Sequence, residues 1–143
     1  INVPVLKNAG PTVTACLKNL SFGSISNTGR LHKLWMKAVA EPCAFPCIRD
    51  KVVLNIVDGL QACFDGGPAA DPRFIWDANV MFLGTDPVAV DAVCHDYIIA
   101  ERIKRGKQKT DEPRMSEFLT IAEGLGLGVA AREKIKVREL DAA

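Results

Sequence analysis

The stretch MFLGTDPVAVDAVCHDY, Met81 to Tyr97, decides the reading of the fold. An apolar run stops at Gly84-Thr85-Asp86-Pro87, and a helical pattern starts at once. Aspartate is a good N-cap because its oxygen accepts from the exposed amides of the first turn. Proline fits the first helical position, where its missing N–H costs nothing. The spacing predicts a strand, a tight turn at Gly84 and a helix over Pro87 to Lys104, the strongest helical pattern in the chain. Asp91 is different, because a helix start does not require it. It lies between Val90 and Ala92 on a mostly apolar helix, and a carboxylate beside a core needs a partner. Asp91 and His95 are four apart and share a helix face, a spacing that holds a metal or makes an ion pair.

Outward from that stretch, strands alternate with helices. Val52 to Val57 is a β-branched run ended by Asp58-Gly59, and the strand before the turn runs within Phe74 to Leu83, from Ala78 onward. Phe64 to Pro72 reads as a long turn. Asn2 to Leu6 reads as a strand broken by Asn8-Ala9-Gly10-Pro11, and Thr12 to Leu20 as a short helix capped by Thr12. Ser21 to Gly29 is a loop. Leu31, Leu34, Trp35, Ala38 and Val39 mark a helix that stops near Pro42. Glu112 to Leu125 is a further helix, closed by Gly124, Gly126 and Gly128, and Lys134 to Val137 a last strand. The fold class expected is α/β: a single layered domain over 1–143 with a mainly parallel sheet flanked by helices, complete in itself or part of a larger domain. The strands at Val52 and Val80 read as buried on both faces, as parallel strands are.

The 143 residues suit one domain, and 48% hydrophobic against 24% charged residues supports a packed core. A net charge of +1 argues against a nucleic-acid or anionic-membrane partner, although Arg102 to Lys109 is locally basic. No apolar run approaches the ~18 residues of a membrane span. A soluble protein is expected, cytoplasmic or exported after folding. The chain begins at Ile1 without a visible signal peptide, which reads as a fragment or a processed product.

The residues able to carry chemistry fall in four places. Asp58 and the Thr85-Asp86 pair follow strands, where ligands bind in open α/β sheets. If those strands are parallel neighbours, their groups converge on one crevice. Gly66 and Gly67 would let backbone amides approach a ligand there. Lys7 follows the first strand, and Lys18-Asn19 lie on a short helix; lysines beside carboxylates suit an anionic or metal-bridged ligand. Five cysteines, Cys16, Cys43, Cys47, Cys63 and Cys94, are an odd count and read as reduced thiols. Cys43 and Cys47 form a C-x3-C, which matches neither zinc nor ferredoxin spacing; a cluster would need Cys16, Cys63, Cys94 or another chain. Phosphate-loop, nucleophile-elbow and zinc-helix motifs are absent from the sequence. His32, near Arg30 and Lys33, reads as a surface or loop residue.

In chain order, NVPVLKN, ACLKNL, NIVDGLQACFDGGP and LGTDPVAVDAV resemble the family called domain of unknown function 362. The resemblance runs from about Asn2 to Val93, with a weaker echo in AEGLGLG and the closing strand. Its matching positions are Lys7, Lys18, Asn19, Asp58, Gly66, Gly67, Pro68, Thr85, Asp86, Pro87 and Asp91. It implies that the chain is the C-terminal part of a longer member, and it carries no established activity to transfer. Some relatives are joined to ferredoxin-like iron–sulfur modules and some carry twin-arginine export signals; neither is visible here. Relatives often have a histidine shortly after the first lysine, where this sequence reads Asn8-Ala9-Gly10. Any role of that histidine is lost here or passes to Asn8.

Three functional classes follow. The first is an enzyme or binding domain whose polar crevice takes a small-molecule or anionic ligand. Asp58, Asp86 and Asp91 would there hold a divalent ion such as Mg²⁺, and Lys7, Lys18, Asn19, Gly66, Gly67 and Thr85 the ligand. Asp58, Asp86, Asp91, Lys7 and Lys18 are its candidate acids and bases. The second is a redox accessory protein with an iron–sulfur cluster on Cys43 and Cys47 and a ferredoxin-like partner. The third is an interaction module without chemistry.

Overall fold

The computed structural model describes residues 1–10, 12–67, 69, 71–107 and 116–141. Four strands, β1 (Val5–Ala9), β2 (Thr12–Thr14), β3 (Asn55–Gly67) and β4 (Ile75–Gly84), form one sheet in the order β2-β1-β3-β4. Among the described residues, five α-helices accompany them: α1 (Cys16–Gly23), α2 (Trp35–Ala40), α3 (Pro46–Arg49), α4 (Pro87–Lys104) and α5 (Glu117–Gly124). The layered α/β domain holds, with a mixed sheet. β1 and β3 run parallel, while the outer pairs β1–β2 and β3–β4 are antiparallel.

α4 covers the sheet. It packs against all four strands and buries Val88, Val90, Ala92, Cys94 and Ile98. Leu6 of β1 and Val57 of β3 are fully buried and join the same core, which α1, α2 and α5 complete with Leu17, Val39 and Phe118. Tyr97 of α4 stacks on Trp76 and meets Phe82 edge-on, which seats the helix on β4. Arg102, in the basic stretch, is a core residue. Its guanidinium donates to the Phe64 carbonyl at 2.9 Å and to Asp65 at 3.0 Å, pinning the end of β3 to the end of α4. Among the described residues, no helix is long and apolar enough to cross a membrane.

The other sheet face is open, which corrects the expectation of strands buried on both faces. β4 alternates in burial residue by residue, and its outward Met81 and Leu83 are 51% and 64% exposed. Val5 and Leu60 are exposed too. Both faces are apolar in sequence, but the described helices cover one. Met81→Lys and Leu83→Lys are therefore expected to change unfolding free energy by no more than about 0.5 kcal/mol each, as surface substitutions do. Urea denaturation of the single variants measures this.

Elsewhere the structure departs from the expected elements through pairing. β3 runs on through Gly67 where a long turn was expected after Phe64, because β1 offers Ala9 as a partner for Gly67. Thr12–Thr14 pairs with β1, so α1 starts only at Cys16, with Ala15 and not Thr12 at its N-cap. The helix expected from Leu31 is a 3₁₀ turn, Thr28–Lys33, followed by α2. Ile135 packs on the core without a strand partner, so the last expected strand is absent among the described residues. The expected helix start at Glu112, Pro68 of the glycine stretch and Lys109 of the basic stretch lie outside the described residues.

Candidate functional site

Asp86 and Asp91 both begin helices, but not the same helix. Asp86 Oδ1 accepts from the amides of Val88 at 2.8 Å and Ala89 at 2.9 Å, capping α4 as its position predicts. Its Oδ2 accepts from the Val129 amide at 2.9 Å, tying the segment after α5 to the turn. Asp91 reaches sideways. Its two oxygens accept from the amides of Cys16 at 2.6 Å and Leu17 at 2.9 Å, so it caps α1 from α4. Asp91 is 1% exposed. Burial pushes its pKa up to about 7; the Leu17 and Cys16 amides pull it down, and the Asp86 charge adds to the rise. Asp86→Ala is expected to cost about 2 kcal/mol, the upper end for a lost cap, because the Val129 anchor goes with it. A shift in urea midpoint reads this out.

These bonds dissolve the expected metal crevice. The Asp91–His95 pair does not form; His95 Nδ1 lies 3.6 Å from Asp96 instead. β3 and β4 are antiparallel, with Asn55 opposite Gly84 and Asp58 opposite Met81. Asp58 therefore belongs to the open face, where it accepts from the Leu60 amide at 2.9 Å. Thr85 and Asp86 leave the sheet beside the start of β3. Among the described residues, no group of three or more His, Cys, Asp or Glu is placed to hold a metal ion. Thr85 and Asp86 together line an open groove of about 270 Å³ with Leu17, Ile48, Arg49 and Leu127.

Among the described residues, the cysteines form no group placed to hold a metal ion. Cys43 is buried, with its thiol on the Leu17 and Val39 carbonyls, while Cys47 is exposed. Cys16, Cys43 and Cys94 surround Asp91, and burial pushes all three thiols up, Cys43 to about 12. They are protonated core residues, unlike the thiolates that ligate metals. Cys63 is buried at the far end of β3, its thiol on the Asp65 carbonyl. Asn19 also turns inward to the fold. Its amide donates to Asn2 at 2.7 Å, and Asn2 donates to Asn55 at 2.9 Å, binding α1 to the start of β3.

Lysines meet glycines at the other end of β3. Ala9 pairs with Gly67 and Lys7 with Cys63, so the carboxyl ends of the two parallel strands lie together. Gly67 permits this approach, since a Cβ there would sit 2.5 Å from the Asn8 carbonyl oxygen and 2.8 Å from Ala9 Cβ. The glycine serves strand packing, where amides open to a ligand were expected. Lys18 of α1 reaches the same place. Its ammonium donates to the Ala9 carbonyl at 3.0 Å and stands 4.4 Å from the Trp35 ring and 5.7 Å from that of Phe22. The residue is 8% exposed. Burial lowers its pKa to about 8, helped by the Lys7 charge. Among the described residues no carboxylate pairs with it.

Aromatic residues to which the sequence reading gave no part in a site complete this end. His32 meets Phe22 and Trp35 edge-on at 5.2 Å and 5.0 Å, and Phe22 and Trp35 are stacked. His32 Nδ1 faces the Thr28 carbonyl at 3.1 Å, so Nδ1 is the donor. Trp35 lies over Gly10, whose φ of +67° and crowding against the ring both exclude a side chain. Helical periodicity marked Trp35 as a core residue; nothing in local sequence ties it to Lys18, seventeen positions earlier.

No curated protein and no solved structure matches the chain. Residues 1–96 match the family described as Domain of unknown function (DUF362), which takes in the strand ends, Lys7, Lys18 and the Gly-Thr-Asp-Pro turn. With two thirds of its length so matched, the chain belongs to the DUF362 family.

Proposed function

We propose that this domain binds a small anionic molecule at the joined carboxyl ends of β1 and β3, with Lys18 and Lys7 supplying the positive charge. One observation carries the reading: the Lys18 ammonium is buried among a carbonyl and two rings, beside a second lysine, with no carboxylate partner among the described residues. Buried charges are ordinarily paired. A carboxylate or phosphate oxygen would supply the missing partner, and its charge would offset the repulsion from Lys7. The location agrees with the rule that ligands of open α/β sheets bind beyond the carboxyl ends of strands.

Inorganic phosphate is the first probe. Trp35 is the reporter, because its ring lies against the ammonium; Trp76→Phe removes the other tryptophan. Saturable phosphate-dependent fluorescence, lost in Lys18→Met with the fold retained, is the expected result. A flat titration at millimolar phosphate refutes the reading. The methionine variant should fold, because exchanging a buried ammonium for an apolar side chain of similar length removes a desolvation cost.

A further inference from the structure

We infer that Lys18 is a carbonyl-reactive amine, which condenses with a small aldehyde or keto acid whose carboxylate is held by Lys7. The inference rests on the anion site proposed above and names its ligand class. An amine becomes a nucleophile when it is desolvated in an apolar pocket or set beside another cation, and Lys18 meets both conditions. It is 8% exposed, its ammonium faces the Trp35 and Phe22 rings, and the neighbouring charge is Lys7. Its one hydrogen bond among the described residues goes to the Ala9 carbonyl. That bond orients the nitrogen without holding it in the charged form as a carboxylate would. The lowered pKa, about 8, leaves a substantial neutral fraction near physiological pH.

The step balances without a further reactant. The ammonium gives a proton to solvent, and the neutral Nζ adds to the carbonyl carbon. The resulting carbinolamine takes up a proton, its C–O bond breaks, and water leaves. The net change converts an ammonium and a carbonyl into a protonated imine and one water. The positive charge of the product is retained at Nζ, over the face of Trp35, where the ring quadrupole favours a cation. No oxidant or reductant enters.

Glyoxylate with cyanoborohydride tests this on the whole chain, since reduction of the imine leaves a carboxymethyl group that peptide mass spectrometry locates. At limiting reagent and pH 7.5, Lys18 is expected to label about tenfold or more faster than the exposed lysines, whose ordinary pKa near 10.4 leaves little free amine. Lys7→Met should slow labelling by glyoxylate several-fold more than labelling by propanal, which has no carboxylate and loses only the effect of the neighbouring charge on the amine. Phosphate should protect Lys18. Lys18→Arg keeps the charge and should remove the fast site. Labelling of Lys18 no faster than that of exposed lysines overturns the inference. The phosphate titration on the same protein decides separately whether the anion site stands.

Discussion

Asp91→Ala is expected to destabilise the domain by about 3 kcal/mol, more than removal of the neighbouring Asp86. The substitution strands two buried amides, Cys16 and Leu17, at the start of α1. A buried donor left without a partner costs about 1–3 kcal/mol, and the lost cap is part of the same loss. Urea denaturation at constant pH measures the difference. A loss below about 1 kcal/mol would mean that α1 does not depend on this carboxylate. Asp91→Asn should fall between, since its amide oxygen still accepts one of the two N–H groups.

The same residue sets a pH dependence. Burial pushes Asp91 up to about 7 in the folded state, against about 4 in an unfolded chain. Between those values the folded form binds the proton that the unfolded form has released, so the stability linked to Asp91 is fully present below about pH 4. It falls as pH rises and is lost through pH 7. The wild type should thus lose stability relative to Asp91→Asn between pH 4 and 7. Parallel profiles for the two proteins would remove Asp91 as the cause.

Gly67→Ala should cost about 3 kcal/mol, at the upper end for overpacking, and should also abolish phosphate binding. The added Cβ would meet the Asn8 carbonyl and the Cα and Cβ of Ala9. These belong to backbone or sit directly on it, so no flexible side chain can move aside. Relief requires β1 to separate from β3 at the end where Ala9 receives the Lys18 ammonium. A variant with wild-type stability and binding would show that the strands tolerate the separation. Gly66→Ala is a useful contrast. Its φ of +72° and the close Phe74 ring make it costly as well, but the clash is with a side chain, and β1 is left in place.

The sequence by itself determined the strand–turn–helix at Gly84 to Lys104 and the role of Asp86 in it. Both depend on contacts a few residues apart: a side chain reaching its own helix, and a proline whose missing N–H has no partner to lose. It also determined the α/β class and the membership of its family. What only the tertiary structure decided are matters of pairing between distant segments. Hydrophobic runs set which residues are strands, but not which strands run parallel; the antiparallel β3–β4 pairing sent Asp58 away from Asp86. Asp91 demanded a buried partner from its sequence context, and four-residue spacing pointed to His95. The partners are backbone amides 75 and 74 residues away. Every residue but proline carries such an N–H, so no side-chain pattern marks the one that will be met. Lys18 likewise reads as a ligand candidate on a short helix, but its burial is decided only where α1 lays it between the Ala9 carbonyl and the Trp35 ring. Its burial depends on three segments folding together, and its chemistry follows from that burial.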